Sequence, residues 1–455
     1  MRAVVIGGGL AGITAALKLA DSGAEVTLHE SKPKLGGLTH SWGRDLPTIG
    51  ERIDVDNGQH VFLRCCTSYL SLLERLGVRN KVTLQDRLNV IVRSEESSKV
   101  GRLRRYEITP PYHLGGSLLK YPFLSLKEKS RLLPAILAMK DVDRNALATD
   151  RRSFGRWLAE HGQSPRAVEA VWDLIGIATL NARAEDASLA LAATVFQLGL
   201  LDEPGAADIG WSVVPLQELH GDAAMTALTA AGVDVRVSSR VRSLDEVDEF
   251  DVVVIATPAE EAETLLPPTS VAQKPGWSAR LGASPIVNLH VIYDREVMNE
   301  SFVATVDSPL QWVFDRTGHS GLSRVRPGSQ YIAVSLSAAD DLVDVPVAEL
   351  RERFLPHLAQ LLPRAAEAEV LEFFVTRERE ATFRPAPGSG ADRPETRCLS
   401  ENVDSTEIRT TRRSVYLAGA WTATGWPATM EGAVRSGEVA AEMALSDHAI
   451  EVHSQ

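Results

Sequence analysis

Cysteine is scarce in this chain. Its 455 residues include three: Cys65 and Cys66 are neighbours, and Cys398 is far away. That spacing excludes a disulfide framework and a C-x-x-C metal pattern, so no metal site is expected. Cys65 and Cys66 read as small apolar residues, and the usage fits a reducing cytoplasm. An excess of positive charge is missing too. Lys and Arg total 48 against 60 Asp and Glu, a net charge of −12, which argues against a general nucleic-acid binder. No uninterrupted apolar run reaches the roughly 18 residues of a membrane-spanning helix. The most apolar window, 187–201, is broken by Ser188, Thr194 and Gln197 and reads as a buried core helix. No basic stretch with an apolar core and a cleavage site precedes the first strand pattern, so no secretory signal is expected. Repeats and low-complexity tracts are also lacking. What remains is an acidic chain long enough, and apolar enough at 44% hydrophobic residues, for two or three domains with real cores.

The first forty residues organise the reading. Arg2–Ile6 is a short apolar run and reads as a buried strand. Gly7, Gly9 and Gly12 then occupy the G-x-G-x-x-G positions, Ile13 to Asp21 reads as a helix, and Glu25–His29 reads as a second strand that ends on Glu30. Strand, glycine turn, helix, strand and acid form the dinucleotide fingerprint in its required context. Gly7 permits the tight turn, Gly9 lets backbone approach a pyrophosphate, and Gly12 lets helix lie close to strand. Free N–H groups at the helix N-terminus face the phosphates, and Glu30 accepts from the ribose hydroxyls. The fingerprint alone leaves NAD and FAD open.

Later segments choose between them. Asp251–Pro258 is a continuous Val/Ile strand suited to burial on both faces, so the chain returns there to the nucleotide-binding sheet. Ser414–Gly419 is a last buried strand. After a loop, a glycine-spaced helix through Ser436 and Gly437 offers a second positive helix end. Two such sites favour FAD over NAD. The expected fold is α/β: a discontinuous Rossmann-type FAD-binding domain at 1–64, 205–270 and 410–445, with a polar tail at 446–455. A substrate-binding α+β domain at 65–204 and 271–409 carries a mostly antiparallel sheet built from strands near 285–294, 311–316, 331–336 and 373–378.

Other stretches carry candidate chemistry. Asp56, Asn57, Gly58, Gln59 and His60 lead straight into the apolar Val61–Leu63, a loop expected to lie against the flavin. His60 is the candidate proton donor by position. Asp315 and Arg316 read as a structural ion pair, and Arg377, Arg379 and Arg384 as rim charges. Ser188 or Asp186 should cap the apolar helix. Between Leu114 and Lys140, leucines and aromatics alternate with Lys120, Lys127, Lys129, Arg131 and Lys140, and after Leu118 the only acid is Glu128. Within an acidic protein this basic, apolar patch fits a contact lying on a membrane.

Several of these segments resemble known families. Lys34, Leu35, Gly36 and Gly37 are similar to the second half of the FAD motif of amine-oxidase-like flavoproteins, and 58–62 is similar to a stretch of the plant-type phytoene desaturases. The chain as a whole resembles the squalene-associated FAD-dependent desaturase family, the hydroxysqualene dehydroxylases of bacterial hopanoid pathways. The resemblance is carried by 56–61, Leu180–Asn181, Ala187–Ser188, 285–288, 311–316, 381–383 and 421–434, in the family's order. It implies FAD as cofactor, held by Gly7, Gly9, Leu10, Ala11, Gly12, Glu30, Lys34, Gly36, Gly37, Asn57, Gly58, Val241, Gly419, Ala420, Thr429, Met430 and Ala433. It also implies reduction of a long isoprenoid, hydroxysqualene, to squalene with loss of water, with His60 as the catalytic candidate. The protein is then expected in the cytoplasm, peripheral on the inner face of the cell membrane, with upstream squalene-pathway enzymes as partner candidates.

The chain departs from the family at three places. Lys34 stands for Arg and loses the bidentate fork. Leu38 stands where many relatives have another Arg. Ala420 stands where the wider superfamily has Asp. Two competing readings remain: a carotenoid-type desaturase or isomerase, with the electron flow reversed, and a flavin-free prenyl-binding protein.

Overall fold

The computed structural model describes residues 1–399 and 414–453. Its first layer is a five-stranded parallel sheet with strands in the order 234–236, 25–29, 2–6, 252–255, 414–417. Ala3 to Ile6 and Val252 to Ile255 are at most 4% exposed, as expected of strands covered on both faces. Helix α1 (Leu10–Asp21) crosses over between the first two strands. The C-terminal helix (Met430–His453) lies against α1 so closely that a Cβ on Gly437 would sit 2.2 Å from the Ala11 carbonyl oxygen. Only glycine permits that approach.

The second layer is a seven-stranded sheet in the order 370–383, 283–293, 330–337, 312–315, 302–306, 89–94, 100–104. It is antiparallel except where 302–306 runs parallel to 89–94. Helix Val347–Leu361 presents Leu350, Phe354, Leu358 and Leu361 at about one-turn spacing to Val287, Leu289, Ile332 and Val334. A helical block between residues 112 and 201 packs at the far side, and Asn181 ties it to the sheet. This residue ends the 174–180 helix at φ 56°, a left-handed conformation that asparagine tolerates. Its amide donates to the Ser284 carbonyl at 2.9 Å and to Thr382 Oγ1 at 3.0 Å, and its oxygen accepts from the Ala338 N–H at 2.6 Å. Ser188 caps the following helix through the N–H groups of Ala190 and Leu191.

The structure departs from the sequence reading at four points. The boundary at 64–65 is displaced, because Tyr69, Leu72 and Leu73 of α2 (Thr67–Arg75) and Val82 share a core with Val5, Ile13 and Leu28. The C-terminal helix anchors that packing. Its Glu431, 1% exposed, accepts from the N–H groups of Ser68 (3.3 Å) and Tyr69 (2.8 Å), so it caps α2, which has no side-chain cap of its own. Second, Leu84 to Val92 reads from sequence as one strand but contributes to two, Val82–Leu84 and Asn89–Ser94, in different sheets. The polar turn between them is pinned where the Leu88 N–H donates to buried Asp208 at 2.6 Å. Third, the hairpin 41–46/51–56 and the strand 209–212 were not anticipated. Fourth, the polar tail is helix as far as His453, and the Tyr416 hydroxyl donates to Asp447 at 2.7 Å. The expected boundary at 409–410 lies outside the described residues.

Candidate active site

The glycine turn after the first strand has distinct demands at each position. A Cβ on Gly12 would lie 1.9 Å from the Gly7 carbonyl oxygen, and one on Gly7 would lie 2.5 Å from that of Ala256. These two glycines serve the protein's own packing. Gly9 differs: its backbone is extended (φ −77°, ψ 178°), and a Cβ there would meet nothing closer than 3.8 Å. Its smallness is not needed by any protein neighbour, which leaves room for a ligand against its backbone. No side chain caps α1 and its first turn holds no acid, so the N–H groups beside Leu10 and Ala11 are available to an anion. Gly36 and Gly37 take left-handed φ of 115° and 57°. They bring a second glycine turn onto the first, with the Gly36 N–H donating to the Gly8 carbonyl at 2.9 Å. Glu30 is buried, and its carboxylate accepts from the N–H groups of Gly8 and Lys32, both at 2.7 Å. Val241 is buried beyond Ser239, whose N–H donates to the Glu30 carbonyl at 2.8 Å. Lys34 is exposed beside this cradle. These features fit a dinucleotide diphosphate.

The last strand delivers the other half. Gly419 is buried, and its N–H donates to Ser436 Oγ at 2.8 Å. Thr429 caps the C-terminal helix by accepting from the Gly432 N–H at 3.1 Å, next to buried Met430 and half-buried Ala433. Ala420 has no side chain to offer, but its carbonyl accepts from Arg393 at 3.2 Å. Arg393 is 4% exposed, donates also to the carbonyls of Trp421 and Thr422 and to Thr424 Oγ1, and stacks over Phe383. Burial lowers its pKa to about 10, which leaves it charged at neutral pH. Arg393 clamps the whole loop, and nothing in its local sequence signals that role.

Between these halves lies a polar hub. Arg316 donates to Asp56 Oδ2, and both residues are 6% exposed. Asp56 Oδ1 accepts from Ser41 Oγ at 2.5 Å and from the Leu216 N–H at 3.0 Å. The expected Asp315–Arg316 pair does not form, since neighbours on a strand face opposite sides. Asp315 instead accepts from Thr317 and Gln330. Asn57 bridges the glycine-rich 36–40 turn to the long 370–383 strand, with its amide donating to the Leu38 carbonyl and to Glu378, each at 3.1 Å. Gly58, at φ 118°, stands beside the His60 ring. His60 is half-buried, with Nε2 3.3 Å from the Asn57 carbonyl. Burial pushes its pKa down, as it does for His220, His290 and His319. The ion pair therefore sits among imidazoles that are neutral at neutral pH. Arg393, His220, His290 and His319 were not singled out from sequence.

The chain matches the model of the family described as flavin containing amine oxidoreductase over residues 10–445. It is 25% identical to a hydroxysqualene dehydroxylase of Zymomonas mobilis, over 97% of this chain and 98% of that one. It is 23% identical to a zeta-carotene desaturase of Synechocystis, over 99% and 98%. An oxidoreductase structure from Methanosarcina mazei superposes with a TM-score of 0.70 at 16% identity, covering 97% of this chain and 100% of that one.

Two outcomes follow from this geometry. Gly9→Val should leave the far-UV circular dichroism native and abolish FAD retention; a purified variant that stays yellow contradicts the cradle. His220 and His290 are fully buried as hydrogen-bonded neutral rings, and burial pushes each from 6.5 to about 3. Below 6.5 the unfolded chain takes up these protons and the folded chain does not, so the stability they contribute is present above 6.5 and lost as pH falls towards 3. The loss between pH 6.5 and about 5 is on the order of 3 kcal/mol for the pair. Thermal melts should show Tm falling over that interval, less steeply in a His220→Gln/His290→Gln variant. A flat profile in the parent protein would refute the assignment.

Proposed function

From its membership of the flavin containing amine oxidoreductase family, which makes the chain a FAD-dependent oxidoreductase, we propose that it reduces hydroxysqualene to squalene. The likeness to a hydroxysqualene dehydroxylase from one end of the chain to the other carries this reading. When bound, reduced FAD supplies the hydride that replaces the hydroxyl, which leaves as water with one proton.

The chain's own residues do the remainder. Gly7, Gly9, Leu10, Ala11 and Gly12 bring the positive end of α1 to the diphosphate, with Lys34 alongside, and Glu30 holds the ribose. Gly36, Gly37 and Val241 wall that end. Asn57, Gly58, Gly419, Ala420, Thr429, Met430 and Ala433 would hold the flavin end. His60 hands the proton to the departing oxygen. Its depressed pKa means that a proton it acquires is readily released. The Asp56–Arg316 pair fixes the loop that carries it.

The substrate explains the surface. About thirty carbons at roughly 0.8 kcal/mol each put the cost of free aqueous substrate on the order of 20 kcal/mol, so it must come from a bilayer. Helices α3 (Gly115–Lys120) and α4 (Leu126–Lys140) expose Leu119 (72%), Leu126 (84%), Leu133 and Leu137 among Lys120, Lys127, Lys129, Arg131 and Lys140. Glu128, which closes a capping box with Ser125 and accepts from Ser164 at 2.7 Å, sets one negative charge against these five positive ones. Among the described residues no helix is long and apolar enough to cross a membrane. We place this face flat on the inner leaflet, where upstream squalene-pathway enzymes would release substrate.

Anaerobic incubation with FAD, dithionite and hydroxysqualene should yield squalene. Conjugated polyenes formed by the oxidised enzyme would instead support a carotenoid-type desaturase, in line with the likeness to zeta-carotene desaturase. Each basic residue near an anionic surface contributes about 1 kcal/mol. A Lys127→Glu/Lys129→Glu/Arg131→Glu variant should therefore bind phosphatidylserine-containing liposomes at least tenfold more weakly, and unchanged sedimentation with them would remove the membrane face.

A further inference from the structure

The seven-stranded sheet has two unlike faces. Towards helix Val347–Leu361 its central strands present Val287, Leu289, Ile332, Val334 and Leu336, all at most 1% exposed. Side chains alternate along a strand, so the intervening residues form the opposite face. That face carries Ile286, Asn288, Ala333, Ser335, Trp312 and Phe314. Asn57, of the loop assigned above to the flavin end, rests on it through Glu378, which pairs directly with Ile286. Ile286, Ser335 and Trp312 stand on interior strands, yet each keeps part of its surface accessible. Packing closes the first face and not this one.

One row of the open face is polar. Thr376, Asn288, Ser335 and Trp312 lie opposite one another across four strands, so their side chains stand next to each other. Ile286, Ala333 and Phe314 beside the row are apolar. Thr376 is engaged, with its hydroxyl 3.0 Å from His290 Nε2. Asn288 differs: it is 2% exposed, and its Oδ1 is buried without a hydrogen-bond partner. A buried acceptor left unpaired costs free energy, and native interiors seldom keep one without a use. Asn288 is also the diagonal neighbour of Glu378, about 7–8 Å away along the ladder, which sets it close to the Asn57 loop.

We propose that Asn288 binds the hydroxyl of the alcohol substrate, whose O–H donates to Asn288 Oδ1 while the hydrocarbon lies on Ile286, Ala333 and Phe314. The proposal rests on the dehydroxylation proposed above, in which substrate and product share one carbon skeleton and differ by the hydroxyl. Apolar walls hold both alike. An alcohol satisfies Asn288, and a hydrocarbon leaves it unpaired. The bond uses the hydrogen of the hydroxyl and leaves the oxygen lone pairs free for the incoming proton. Once that oxygen departs as water, the hold on the chain is gone and the product is released.

The oxidised holoenzyme cannot reduce the alcohol, so binding is measurable without turnover. Radiolabelled hydroxysqualene and squalene are partitioned between detergent micelles and immobilised holoenzyme. The ratio of alcohol to hydrocarbon affinity should fall about tenfold from the parent to Asn288→Leu, the change expected for losing one buried polar pairing. Asn288→Asp keeps an acceptor in place and should retain most of the preference. Asn288→Ala serves if the leucine variant fails to fold. FAD content and visible spectrum should match the parent throughout. An unchanged ratio in a natively folded Asn288→Leu or Asn288→Ala overturns the assignment, and so does loss of FAD from it, which would place Asn288 at the flavin instead. Product analysis on the same preparations separates this from the reaction itself. Polyene formation with the ratio shift intact removes the dehydroxylation and leaves Asn288 as an alcohol-binding residue; squalene formation without the shift does the reverse.

Discussion

Backbone contact between glycine turns is the constraint on which the molecule depends. The first strand can feed α1 only if Gly12 touches Gly7, and the C-terminal helix can reach α1 only through Gly437 on Ala11. Those contacts bring together residues more than four hundred positions apart and create one uncapped helix end facing a second glycine turn. Gly9 is the exception that reveals the purpose: packing leaves it free, and only something outside the protein requires it to be small. Lys34 is exposed and Ala420 has no polar side chain, so backbone N–H groups and the helix dipole are what this cradle presents to an anion.

A buried ion pair joins this layer to the second sheet. Asp56 and Arg316 are both nearly dry, and removing either partner alone would strand the other, at a cost of about 3–5 kcal/mol. Such a pair is weak evidence for stability and better evidence for placement. It holds the loop of Asn57, Gly58 and His60 in one position relative to the end of the 312–315 strand, which Arg316 directly follows. The surrounding imidazoles of His60, His220, His290 and His319 are held neutral by burial, so the pair is flanked by few other charges.

Local signals made much of this legible from sequence. Strand, turn, helix and strand over residues 2–29 lie next to one another in the chain, and the Ser188 cap and the final buried strand are written in a few residues each. Unreadable features share a different property, that their partner is distant. Arg316 chooses Asp56, 260 positions away, over adjacent Asp315 because strand pleating turns Asp315 to the other face. Glu431 caps α2 across 362 positions and so draws residues 65–84 into the first core. Arg393 clamps the 420–424 loop without any motif around it. The histidines at 220, 290 and 319 became notable only through burial, which no single position announces.

The account stands on the direction of electron flow between flavin and lipid. Stopped-flow mixing of the reduced holoenzyme with hydroxysqualene, without oxygen, measures it directly. The predicted result is reoxidation of the flavin in step with squalene formation, one flavin per squalene. A reduced flavin that persists with hydroxysqualene, together with an oxidised flavin that is reduced by a carotenoid-precursor hydrocarbon, would contradict it.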